Sequence, residues 1–318
     1  MKSAVIYFSQ TGNTKKVAEA IREGINSAVG HCDLFRVQDA EINKLSGYDL
    51  IGVGGPVFVF KPSVNLSIFM SRMSPLKGKP CFLFATHGGH PGNFMPAASR
   101  ILERQGLEMI GAFDCDGDVT RPFYPYPFWT GGHPDAIDLE MAASFGQEIT
   151  ERSQKGSKGQ RVYRPYYEWL QDPIYYRSVK VWDANKIRSE DFIVPMTLDK
   201  RKCAYPECRL CIDECPMQSI DLSVTPPVFR RGCISCLFCE KICPTGAIDI
   251  EEDFAEKRWK GAIEGFKKNG YLEFFQRAAI EKIGNRGTLY RRLNAVDLDH
   301  VENIYNKVKS KRPRFKVS

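Results

Sequence analysis

No stretch of this chain is apolar over anything like the roughly 18 residues that a membrane helix needs, so no membrane span is expected. Lys2 is followed by a short run, AVIYF, and at once by polar SQTGNT. The apolar segment and small-residue cleavage site of a secretory leader are therefore missing. Missing too are the Gly-Lys-Ser/Thr of a nucleoside-triphosphate loop and the G-x-G-x-x-G of a dinucleotide fold. With no leader, thiols are expected to stay reduced, in a cytoplasmic setting. Cysteine itself is abundant: there are 11, and eight of them fall between positions 203 and 243. At 318 residues and 43% hydrophobic content the chain has material for a real core and for two domains.

The cysteines lie in two related stretches, CAYPECRLCIDECP from position 203 and CISCLFCEKICP from position 233. A shift of 28 residues places Cys208 on Cys236, Cys211 on Cys239, Cys215 on Cys243 and Pro216 on Pro244. The match continues through Ile220 on Ile248 and Asp221 on Asp249. Cys203 breaks it, since it would land on Arg231, two places before Cys233. The second stretch is a full C-x2-C-x2-C-x3-C-P run, in which three thiolates serve one four-iron cluster and the fourth serves its neighbour. That crossing rule predicts one cluster on Cys203, Cys208, Cys211 and Cys243, and a second on Cys233, Cys236, Cys239 and Cys215. The first stretch also fits the plant-type two-iron spacing, C-x4-C-x2-C. That reading leaves Cys215-Pro216 and the second copy unexplained. Structural zinc pairs C-x2-C units across longer gaps and explains the repeat no better. A four-iron site with two extra residues in its first loop, which would alter solvent access and potential, is the expectation. This segment, about 198–250, resembles the bacterial two-cluster ferredoxins.

The front of the chain reads strand, loop, helix: SAVIYF, SQTGNT, then KKVAEAIREGINSA with Val17, Ile21, Ile25 and Ala28 on one face. A hydroxyl-rich loop between a buried strand and a helix N-terminus suits a phosphate, with Gly12 for the tight turn and Ser9, Thr11 and Thr14 as hydroxyl donors. A plain helix cap at Thr14 is the simpler alternative. Strand patterns recur at 32–37, 49–55, 80–86 and 107–113, and helix patterns at 63–74, 95–105 and 134–152. Such alternation predicts an α/β fold, a parallel sheet wound on both faces, with ligands at the carboxyl ends of its strands. Two further loops should meet the first there. GGPVFVFKPS offers Pro56, Val57, Phe58 and Phe60 to a flat ring; THGGHPGNF offers His87, Gly88, Gly89, His90, Gly92, Asn93 and Phe94.

Ser9, Thr11, Gly12, Asn13 and Thr14 match the S/T-x-T-G-N-T loop of flavodoxins, and the front half resembles that family. The resemblance implies a doubly wound flavodoxin-like sheet that binds FMN through this loop. Flavodoxins commonly set Trp or Tyr against the ring, where this chain offers Phe. Taken together the two halves resemble the flavodoxin–ferredoxin fusion proteins. The expected layout is a flavodoxin-like domain over 1–152, an aromatic connector over 153–197, a small α+β ferredoxin-like domain over 198–250 and a helical extension over 251–318.

The formal charge of +7 does not argue for nucleic acid. Two thiolate-bound clusters bring about two negative charges each and a flavin phosphate about two more. The basic end KVKSKRPRFKVS reads as a solvated tail. An iron–sulfur flavoprotein is expected, with FMN and two [4Fe–4S] clusters, exchanging electrons with a low-potential redox protein and serving a partner enzyme. The alternative is a reductase acting on its own small organic substrate, walled by TRPFYPYPFWTGG (120–132), with His87, His90, Tyr124 or Tyr126 as proton donor. A non-catalytic redox sensor is a third reading. Oligomeric state is not legible.

Overall fold

The computed structural model describes residues 1–58, 61–88, 91–119, 130–156, 194–224, 228–229, 232–251, 253–254 and 257. Phe60, Gly89, His90, Tyr124 and Tyr126 lie outside the described residues, as do most of the aromatic connector and of the C-terminal extension. The chain divides into two compact units, one holding residues 1–118 and 132–156, the other residues 119 and 130–131 with the described residues from 194 onward. Among the described residues no helix is long and apolar enough to cross a membrane.

In the first unit strands and helices alternate: β1 (Ser3–Tyr7), α1 (Asn13–Val29), β2 (Cys32–Arg36), β3 (Leu50–Phe58), β4 (Lys61–Pro62), α2 (Val64–Arg72), β5 (Pro80–His87), α3 (Phe94–Arg104), β6 (Glu108–Asp116) and α4 (Ala136–Gly156). Five strands pair in the order β2-β1-β3-β5-β6, every pair parallel. With the short β4 set aside, this is the 2-1-3-4-5 order of flavodoxin-like folds. Successive residues of each strand go to opposite faces. Phe82 and Phe84 join Val17, Ile21 and Phe145 in a core under α1 and α4, while Cys81, Leu83 and Ala85 join Leu66, Met70 and Phe94 under α2 and α3. Cys32, Cys81 and Cys115 are all buried in these two cores.

Helices α1 and α4 touch backbone to backbone. A Cβ built on Gly24 would sit 1.9 Å from the Ala143 carbonyl oxygen, and one on Gly146 would sit 2.3 Å from that of Ile21. Only glycine allows that approach.

The segment after β3 differs from the expected loop. β3 runs on to Phe58, and β4 folds back beside it antiparallel, with Val57 opposite Pro62 and Phe58 opposite Lys61. The apolar run PVF continues the strand because its side chains still have neighbours to pack on: Phe58 lies against Phe8, ring centroids 6.3 Å apart.

The second unit carries the sequence repeat into three dimensions. Each copy supplies a short helix, Leu210–Asp213 and Phe238–Ile242, and then a strand, β8 (Ile220–Asp221) and β10 (Ile248–Ile250). β10 pairs antiparallel with β7 (Met196–Leu198), and β8 with β9 (Val228–Phe229). This core is small, so groups that cross-link its loops would carry much of its stability.

Candidate functional sites

At the carboxyl end of β1 the chain turns through Ser9–Gly12, all half-buried, into α1. Gly12 caps the helix in a left-handed conformation (φ 93°), and a Cβ there would meet nothing within 4 Å. No side chain caps α1, so its first-turn N–H groups have no side-chain acceptor. Asn13 donates its side-chain amide to the Asp118 carbonyl at 3.2 Å. Thr14 is buried, and its hydroxyl pairs with that of Thr86 at 2.7 Å. Thr14 thereby ties the loop to the end of β5, while Ser9 and Thr11 stay accessible.

The N-termini of α2 and α3 follow the carboxyl ends of β3 and β5. At each sits a buried polar atom without a protein partner, Ser63 Oγ and Asn93 Nδ2. Buried polar groups in folded proteins are seldom left so. An open glycine turn, an uncapped helix and two orphaned polar atoms at one sheet edge fit a polar, anionic ligand such as FMN. Pro56, Val57 and Phe58 are half-buried at the end of β3, and Gly88 and Gly92 flank the third loop. Phe94, offered by the sequence as a ring for the ligand, is fully buried in the core as the first residue of α3.

His87 belongs to the strand and not to the loop that follows it. It is the last residue of β5, buried, with Nε2 2.9 Å from Asp114 Oδ2. Its Nδ1 lies 3.3 Å from Asp116 Oδ1, near enough for ion pairing though poorly aligned for a hydrogen bond. Burial opposes charge on the ring, but the two carboxylates outweigh it and hold the pKa up at about 9. His87 is thus a buried imidazolium at neutral pH. The sequence reading missed Asp114 and Asp116. The available signal was FDCDGD, where acids alternate at the end of an apolar strand.

His133, Asp135 and Asp138 also bring ligand atoms together. Asp135 accepts the N–H groups of Ile137 and Asp138, and Asp138 accepts that of Asp135 while pairing with His133. That is a reciprocal cap on α4.

In the second unit two cavities are each lined by four cysteines. One is lined by Cys203, Cys208, Cys211 and Cys243. The other is lined by Cys215, Cys233, Cys236 and Cys239. Each set takes one thiol from the other copy of the repeat. The thiols also act on one another electrostatically. Burial, and after it the neighbouring Cys243, Cys203 and Cys208, together push the Cys211 thiol up to about 11. Cys239 is raised by burial, then by Cys236 and Cys233. Thiolates packed so closely are costly without a cation, and iron would offset that cost. Cys243 is the exception: burial raises it, but the Thr245 hydroxyl and the nearby N–H groups prevail and lower it. Backbone N–H groups of Ser219, Ser235 and Ala247 lie 3.3, 3.4 and 3.2 Å from the sulfurs of Cys215, Cys233 and Cys243. The donor set, soft and grouped in fours, fits iron–sulfur clusters.

Fold and donor sets together define an electron-transfer iron–sulfur flavoprotein. The flavodoxin domain family matches residues 4–123, and the 4Fe-4S binding domain family matches residues 226–249. A ferredoxin of Methanothermococcus thermolithotrophicus is 36% identical over 59 residues, which span 18% of this chain and 98% of that protein. A flavodoxin of Megasphaera elsdenii is 29% identical over 110 residues, 34% of this chain and 80% of that protein. A solved flavodoxin from the domain Archaea is 24% identical, covers 48% of this chain and 99% of its own, and superposes with a TM-score of 0.40. The chain belongs to the flavodoxin–ferredoxin fusion proteins, a flavodoxin domain joined to a [4Fe–4S] ferredoxin domain.

Proposed function

We propose that this protein holds one FMN in its first unit and two [4Fe–4S] clusters in its second, and carries electrons between a low-potential one-electron protein and a partner redox enzyme. When bound, FMN takes or gives electrons singly or in pairs, whereas each cluster handles one. Ser9, Thr11, Gly12 and the first-turn N–H groups of α1 bind the phosphate, and the Thr14–Thr86 pair fixes the turn that presents them. Pro56, Val57 and Phe58 exclude water from one side of the ring. Cys203, Cys208, Cys211 and Cys243 bind one cluster and Cys215, Cys233, Cys236 and Cys239 the other. Val194, Leu237 and Phe238 keep water from the second. His87 holds its proton between Asp114 and Asp116, so it braces the end of β5 and supplies a fixed positive charge there rather than a mobile proton. The domain divisions in this reading are a flavodoxin-like part over 1–152 and a ferredoxin-like part over 198–250, in a reducing cytoplasm.

The observation that carries this reading is the sorting of eight cysteines into two crossed sets of four. Its test is Cys243→Ser. That cysteine belongs to the second copy of the repeat, yet its loss should remove the cluster held by the first. Iron should fall by about half, and the EPR signal that remains should be that of the Cys233 site. Loss of the Cys233 site instead would overturn the crossed assignment.

A further inference from the structure

The 28-residue shift that relates the two copies of the cysteine repeat holds for the backbone after each Cys-Pro. The chain turns through a left-handed residue at Gln218 (φ 49°) in the first copy and at Gly246 (φ 65°) in the second. In both, the N–H four residues past the last cysteine donates to its sulfur. Ser219 N lies 3.3 Å from Cys215 Sγ, and Ala247 N lies 3.2 Å from Cys243 Sγ. The strands β8 and β10 then begin at Ile220 and Ile248. Turn and backbone donor are thus the same at Cys215 and Cys243, the two thiols that cross into the other copy's set.

One side chain breaks the equivalence. Two residues past Cys243 stands Thr245, whose hydroxyl lies 3.6 Å from Cys243 Sγ. Two residues past Cys215 stands Met217, half-buried against the second cavity, and a thioether has no proton to donate. A metal-bound thiolate carries no proton, so at Cys243 the hydroxyl is the donor. Cys243 is 8% exposed, so its sulfur is nearly closed to water that could stand in for the hydroxyl. The second set has a backbone donor of its own, Ser235 N at 3.4 Å from Cys233 Sγ, which side-chain changes at 217 or 245 leave in place. Reduction adds one negative charge to a cluster and its ligand sulfurs. A hydrogen bond aimed at such a sulfur strengthens as that charge arrives, and so favours the reduced form.

Resting on the cluster reading above, we propose that the Thr245 hydroxyl, acting through Cys243, biases an electron shared by the two clusters toward the one on Cys203, Cys208, Cys211 and Cys243. One electron passes between the clusters, one being oxidised as the other is reduced, and no bond or proton moves. The expected bias is about tenfold in that partition, about 59 mV for one electron.

The test uses the full holoprotein, with iron and acid-labile sulfide measured on each sample and both cluster midpoints read by EPR during a potential titration. Thr245→Val removes the hydroxyl while keeping the branched shape. It should lower one midpoint, shifting the partition about tenfold, and leave the other unmoved. Met217→Thr supplies a hydroxyl at the equivalent place, and should raise the midpoint that Thr245→Val leaves alone. Thr245→Ser keeps the donor and should retain the native midpoints, which a role for the methyl group alone would not allow. With iron and sulfide intact, unmoved midpoints in Thr245→Val, or the same midpoint moved by both Thr245→Val and Met217→Thr, would overturn the proposal and leave the cluster reading standing. If the unsubstituted protein lacks about eight irons and labile sulfide, the cluster reading itself fails and the proposal falls with it.

Discussion

His87 offers the sharpest physical prediction. Its imidazole is buried between Asp114 and Asp116, and its pKa stands at about 9 against an ordinary 6.5. That difference corresponds to roughly 3 kcal/mol in favour of the charged form. A raised folded-state pKa contributes stability that is fully present below about 6.5 and is lost as pH climbs through about 9. The flavodoxin unit should therefore lose stability across that window, and His87→Gln should remove the loss. At pH 7 the same substitution leaves two carboxylates buried without their cation, at a cost of about 3–5 kcal/mol. With only five histidines in the chain, the ring can be followed directly by imidazole NMR against pH and assigned with His87→Gln. A midpoint near 9 is expected, falling by roughly one unit or more in Asp116→Asn. A midpoint at or below 6.5 would refute the charge triad.

Thr11→Ala with Asn13→Ala should strip FMN from the purified protein while leaving iron unchanged, read by flavin absorbance and iron analysis on one sample. Unchanged flavin content would show that the phosphate binds elsewhere. Gly24→Ala puts a methyl group into the Ala143 carbonyl of α4, and should destabilise the first unit by about 1–3 kcal/mol or more, read from denaturant midpoints. The same change at Gly30, which has open space but a φ of 85°, should cost only backbone strain, about 1–2 kcal/mol.

Much of this architecture could be read from local pattern. The strand and helix periods of the first 150 residues place every parallel strand and the helices between them, because each segment must bury one face on the sheet. The cysteine repeat is legible for a different reason, since ligand spacing is a matter of chain length between thiols. What stayed hidden depends on register between distant segments. Asp114 and Asp116 meet His87 only because β5 and β6 align His87 with Asp116, across 29 residues of sequence. The pairing of Thr14 with Thr86 spans 72 residues of sequence and is invisible in the loop alone. Phe94 reads as a loop ring, but the strongly amphipathic α3 begins on it and draws it into the core.

The most direct test of the account is an anaerobic purification with iron, acid-labile sulfide and FMN measured on one sample, followed by EPR during stepwise reduction. The account predicts about eight irons and one FMN per chain, with two interacting cluster signals. About four irons, or iron without labile sulfide, would contradict the assignment of both cysteine cavities to [4Fe–4S] clusters.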